Sequence, residues 1–199
     1  MTIGSNGHPA TTQLPTTGTA DLLRRLAELE ARVGQLESAP AQDIEERLAL
    51  VIFSGDLDKT IAAFIIATGA AAMGLEVSMF FTFWGLGILK KQKVYAGKNL
   101  LEKGFTAMLP AGTQNLGLSQ MNFFGAGAKV IRKLMKDHDV SSVEEMVEMT
   151  RDFGVRLVAC DMSRELLGIS EAELVDGIEP GGVAAFLGDA ARAKATIFI

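Results

Sequence analysis

The sequence predicts a doubly wound α/β domain built on a mostly parallel sheet of five or six strands, with a short heptad helix in front of it. Three observations predict this. Apolar runs of strand length alternate with helical segments from residue 46 to 199. The first of these runs, residues 48–53, is apolar throughout and ends in Ser-Gly-Asp, the form of a parallel strand buried on both faces. A separate a/d periodicity occupies residues 21–40.

Residues 1–20 are polar and rich in Thr, Gly and Pro, with too little apolar surface to offset the entropy of ordering, so a disordered tail is expected there. Leu22, Leu26, Leu29, Val33 and Leu36 then recur at spacings of four, three, four and three. They predict a helix over 21–40, capped by Asp21 and stopped before Pro40. Two heptads are unstable alone, so this helix needs a surface, either a second copy or its own main domain.

In the main domain, over 46–199, the strand at 48–53 leads into a helix at 57–73 that is apolar nearly all round and therefore expects a second covering surface. Gly74 ends it, and a strand follows at 75–83. A short helix is expected at 84–91, a strand at 105–109, and helices at 122–136 and 143–152. The remaining elements are a strand at 155–159, helices at 162–168 and 182–192, and a closing strand at 195–199. The glycine-rich stretch 93–120 is the least regular and is expected to cover the carboxyl edge of the sheet, where functional groups collect in such folds.

Composition excludes several classes. Nineteen basic against 24 acidic residues give a net charge of −5, unsuited to coating nucleic acid. One cysteine precludes an internal disulfide, and with two histidines it leaves no zinc-ligand cluster, so no metal or other cofactor is expected. The lone thiol suits a reducing compartment, and the first twenty residues lack the pattern of a secretory signal, so a cytoplasmic location is expected. Residues 61–89 are apolar enough to raise the question of a membrane span. Gly74 and Glu76 divide that run into a helical half and a β-rich half, which fits a buried α/β unit instead.

Cys160 is the sharpest chemical feature. It follows the strand at 155–159 and precedes the helix at 162–168, which places the thiol at the carboxyl edge of the sheet and at a helix N-terminus. The helix dipole and Arg164 favour a thiolate there, and Asp161 opposes it. A buried packing cysteine is the alternative. Ser54, Gly55 and Asp56 form the turn after the first strand, where Asp56 reads most simply as a helix N-cap. Trp84, beside Phe80, Phe81 and Phe83, stands at the end of the second strand, where it could shield a reactive sulfur from water. Asn122, Phe123 and Phe124 open a later helix as core residues, and Gly125 and Gly127 allow a close approach, most simply to the sheet. His138 in a charged helix end has no nucleophile beside it, and Glu144, Glu145 and Glu148 form a solvated helical face. Neither a P-loop nor a GxGxxG motif is present.

The segments SGDLDK, AAAMG, FFTFWGL, MNFFGAGAK and CDMS, in that order over residues 46–199, resemble the DsrE/DsrF-like sulfur-relay family, in the branch often labelled peroxiredoxin-like. The resemblance implies a flavodoxin-like three-layer fold, homo-oligomeric assembly, and exchange of persulfide sulfur with rhodanese-type enzymes and TusA-like carriers. It puts the sulfur-bearing cysteine on Cys160, with Met162 and Ser163 beside it. In that motif Gln or Thr commonly follows the cysteine and Met stands where Arg164 is; here Asp161 and Arg164 change the local charge. The Thr-x-x-Cys arrangement of peroxiredoxins is absent, because Leu157 occupies the Thr position. The expected function is therefore a sulfur carrier or sulfurtransferase. The alternative from another class is a non-catalytic oligomeric binding or scaffold protein, with or without membrane association.

Overall fold

The computed structural model describes residues 18–38 and 45–199. The tail expected over 1–20 lies outside the described residues as far as residue 17, and so does Pro40. The chain divides into two units, with the boundary between residues 42 and 43. In the first, α1 is a helix over Thr19–Ser38. It starts two residues before the expected cap, so Asp21 lies in its first turn, where it favours the helix dipole and pairs with Arg24 at 2.9 Å and Arg25 at 3.1 Å. Leu22, Leu26, Leu29 and Val33 are exposed along it.

The second unit is a five-stranded sheet in the order β4-β3-β2-β1-β5, every pair parallel. The strands are β1 Glu45–Ile52, β2 Glu76–Phe81, β3 Arg156–Cys160, β4 Glu179–Gly181 and β5 Ala193–Phe198. β1, β2 and β3 are buried on both sides beyond their first residues, as their largely apolar runs require. The helices are α2 Leu57–Ala72, α3 Leu100–Met108, α4 Ala126–Asp137, α5 Val143–Asp152, α6 Asp161–Leu167 and α7 Val183–Ala190. Helices cover both faces, which makes this the flavodoxin-like α/β architecture.

The two faces are unequal. Leu48, Leu50, Ile52, Met79, Phe81, Leu157 and Ala159 point to the first face and join the main core with Phe64 of α2 and Met146 of α5. On α2 the buried positions Leu57, Thr60, Ala63, Phe64 and Ala67 follow helical spacing, and the outward Ile65 and Ile66 remain exposed. The second face carries the alternate strand residues. There Phe80, Val158 and Cys160 pack with Phe186 of α7, the helix that returns the chain from β4 across the sheet to β5.

Four local readings change. Residues 105–109 are not a strand but the end of α3, because Asn99 and Glu102 form a capping box: the Glu102 N–H donates to Asn99 Oδ1 at 2.9 Å, and the Asn99 N–H to Glu102 Oε2 at 2.8 Å. β4 was not foreseen; it has three residues and contains Pro180, tolerated because the strand lies at the sheet edge. The helix expected from 122 starts only at Ala126, since Phe123 and Phe124 adopt left-handed φ values of 39° and 55°. Gly127 does approach something closely, but it is the Met121 carbonyl oxygen, 2.1 Å from where a Cβ would stand. No helix among the described residues is long and apolar enough to cross a membrane.

A buried ionic cluster ties the chain after β2 to the turn before β4. Glu173 and Lys90 have fully buried side chains, Lys98 nearly so, and the Glu173 carboxylate receives both ammonium groups. Lys90 Nζ lies 2.9 Å from Oε2 but off the hydrogen-bonding direction, so that contact is ionic. The Ser170 N–H donates to Oε1 at 3.1 Å, and Lys98 also donates to Thr106 Oγ1 at 2.9 Å. Burial alone would push the Glu173 carboxyl up; Lys98, Lys90 and the Ser170 N–H outweigh it and bring its pKa from 4.5 to about 2.

Removing that charge leaves two buried cations unbalanced, so Glu173→Gln is expected to lower unfolding free energy by about 3–5 kcal/mol in urea titrations at neutral pH. The folded pKa lies below the unfolded one. The stabilisation is thus present above pH 4.5 and disappears as pH falls toward 2, and a pH series should find that loss in the unsubstituted protein and not in the variant.

Candidate functional site

The carboxyl edge of the sheet brings the expected residues into two groups. At the end of β1, Ser54, Gly55 and Asp56 line a cavity of about 690 Å³ together with Trp84, Leu109 and Pro110. Gly55 is needed there, since a Cβ would lie 2.6 Å from the Trp84 carbonyl oxygen. Asp56 occupies the N-cap position of α2 but makes no side-chain cap bond. Its carboxylate accepts instead from Ser54 Oγ at 2.8 Å and Lys59 Nζ at 3.0 Å, while the Asp56 N–H donates to Ser54 Oγ at 3.1 Å. Asn122 supports the cavity wall at one remove, because its Oδ1 accepts from the Leu118 N–H at 3.2 Å and its amide packs on Gly117.

The second group surrounds Cys160, the last residue of β3 and the N-cap of α6, where its side chain makes no capping bond. β1 and β3 are separated by one strand, roughly 10 Å at the usual interstrand spacing, so the cavity and the thiol are neighbours along one edge rather than one pocket. At the same edge the bond between Thr82 Oγ1 at the end of β2 and Ser163 Oγ of α6 is 2.8 Å long, with Ser163 fully buried. Met162 is exposed. Arg164 is engaged by Asp161 at 3.1 Å and Glu171 at 3.6 Å. Among the described residues no group of three His, Cys, Asp or Glu side chains could hold a metal.

The thiol stands at the sheet edge as the sequence predicts, but in the buried setting that the sequence held as the alternative: Cys160 is 3% exposed and packs against Phe80, Val158 and Phe186. Alternation within β3 is the reason, since Cys160 shares the face of Val158, whereas Leu157 and Ala159 enter the main core. The Phe80 and Phe186 rings lie 5.3 Å apart and roof the sulfur from the α7 side. Cys160 pairs with Gly181 of β4, and Gly182 is the N-cap of α7, so the roof is attached directly beside the thiol.

Sequence reasoning missed Phe186, Thr82 and Asp189. Asp189, on α7, accepts from Arg47 Nη1 and from Arg156 Nη1, the latter at 2.9 Å, fixing the far end of the helix over the start of β1 and β3. The signal for Phe186 was present in the even parity shared by Arg156, Val158 and Cys160, which puts the thiol on whichever face the last helix covers. Thr82 and Asp189 act through long-range pairs for which the sequence holds no local sign.

A parallel α/β unit with a single strand-end thiol is the class that this fold and site define. The chain belongs to the DsrE/DsrF/DrsH-like family, whose model matches residues 44–198. It is similar to the uncharacterized protein YrkE of Bacillus subtilis (strain 168), 48% identical over 155 residues, which cover 77% of this chain and 97% of that one. It is also similar to the sulfur carrier protein DsrE2 of Allochromatium vinosum, 34% identical over 159 residues, or 78% of this chain and 99% of that one.

If Phe186 roofs the thiol, Phe186→Ala should raise the rate of Cys160 alkylation under native conditions by about tenfold, the factor matching ~1.4 kcal/mol off the cost of local opening. Equal rates in the two proteins, followed by mass spectrometry, would show that the ring does not limit access.

Proposed function

We propose that this protein is a sulfur carrier or sulfurtransferase of a sulfur relay, holding sulfur as a persulfide on Cys160. The observation that carries the reading is that a member of this family, similar to a named sulfur carrier, has one cysteine in its whole sequence, and that cysteine closes β3 at the carboxyl edge of the sheet. Thiol-borne sulfur has no other position in the chain.

In the proposed step the Cys160 thiolate attacks the outer sulfur of a donor persulfide. The donor S–S bond breaks, the donor leaves as a thiolate that takes up the proton given by Cys160, and a new S–S bond forms on Cys160. An acceptor thiolate reverses these events and carries the sulfur away. No electrons are gained or lost overall, so neither a metal nor a redox cofactor enters the scheme. Rhodanese-type and TusA-like proteins fit as donors and acceptors because both present sulfur on a thiol, and a reducing cytoplasm suits such exchange. Homo-oligomeric assembly belongs to the same reading, with the exposed Ile65 and Ile66 of α2 as apolar surface for a second copy to cover.

The burial of Cys160 adds a condition: sulfur reaches it only when α7 and its Phe186 ring yield. That same burial favours the rival reading, a non-catalytic binding subunit with an inert thiol. Incubation with a low-molecular-weight persulfide donor separates the two. The expected result is an intact mass increased by one sulfur atom, absent from Cys160→Ala and formed faster in Phe186→Ala. Absence of the adduct from both the unsubstituted protein and the Phe186→Ala variant would leave the inert subunit as the answer.

A further inference from the structure

Phe123 and Phe124, expected in the core, stand in solvent: Phe124 is 110% exposed, and Phe123 and Met121 are exposed beside it. All three sit at positive φ, a conformation that bulky side chains rarely adopt. The base of their loop is nevertheless well tied. The Gly125 N–H donates to the Asn122 carbonyl at 2.7 Å, the Gly127 N–H to the same oxygen at 3.1 Å, and the Ser119 N–H to Asp58 Oδ1 at 2.9 Å. The loop is thus a fixed apolar protrusion.

The helix that follows continues it. Ala128, Ile131 and Met135 of α4 turn inward onto the core. On the outer side Lys129, Lys133 and Lys136 recur at spacings of four and three, all exposed and without an ion pair among the described residues. Val130 and Leu134, four apart and exposed, form the adjoining row. Between Glu102 and Asp137 the sequence has no acidic residue and five basic ones, in a chain whose net charge is −5. Asp137 and Asp139 close the basic row at its far end.

We propose that Met121, Phe123 and Phe124, with the outer face of α4, form a docking surface for a membrane bearing anionic phospholipid headgroups. The two rings would enter the acyl boundary, with Val130 and Leu134 following, while the three lysines reach sideways to lipid phosphates. The shape is a projection flanked by positive charge, which a fluid anionic surface accommodates without a complementary groove. A two-fold contact with a second copy would bring together two faces that each carry a net positive charge, which disfavours that occupant. This surface is independent of sulfur chemistry at Cys160.

The test is co-sedimentation of the full chain with vesicles of phosphatidylcholine alone or mixed with phosphatidylglycerol. Binding is expected only to the mixed vesicles, weakening as salt is raised. Phe123→Asn with Phe124→Asn removes the rings while suiting the left-handed backbone, so folding is retained and binding should fall more than tenfold. Lys129→Glu with Lys133→Glu should cost about fivefold for each charge removed. Unchanged melting by circular dichroism checks that both variants remain folded. No binding to anionic vesicles, equal binding to neutral ones, or unchanged binding by the Asn variant would overturn the proposal. So would sedimentation equilibrium without lipid in which the Asn substitutions break an oligomer, since the patch would then be a contact between copies.

Discussion

The central ladder, in which β1 pairs with β2 and β2 with β3, is the constraint on which the rest of the structure depends. Its register sets Phe80 opposite Val158 and Phe81 opposite Ala159, and parallel pairing sends all the strand ends to one edge. With side chains alternating in direction, the pairing also decides which residues join the main core and which lie under α7. A slip of one residue would move the sulfur of Cys160 from one face to the other.

Unequal cover on the two faces follows from connectivity. The connections from β1 to β4 step along the sheet in one direction and place their helices on the first face. Only the return from β4 to β5 crosses the second face, and its helix has eight residues. The first face accordingly has a deep core; the second depends on Phe80, Val158, Cys160 and one phenylalanine from above. A buried thiol and a thin covering layer are therefore two results of the same chain order.

Much of this was legible in the sequence. Strands buried on both sides betray themselves by nearly continuous apolar runs, and residues 48–53 and, with Arg156 as its one interruption, 155–159 fall within or beside β1 and β3 for that reason. Cys160 at a strand end, and the turn at Ser54–Asp56, could be placed from local pattern alone. What escaped had nonlocal causes or short signals. α3 was hidden because its decisive feature is a reciprocal cap between Asn99 and Glu102, and β4 because three residues with a proline have no periodicity to read. The exposure of Phe123 and Phe124 contradicts the usual burial of aromatics and comes from three positive φ angles that composition does not announce.

The Asp189 clamp makes the two ends of α7 mechanically different. Arg47 and Arg156 hold the trailing end over the start of the strands. The leading end rests on turns closed by the Gly182 carbonyl, which accepts from Ala185 and Phe186 at 3.1 and 3.3 Å, and on the aromatic contact with Phe80. The trailing end of the helix is thus held by charge, whereas the leading end, above the sulfur, is held by backbone hydrogen bonds and one ring pair.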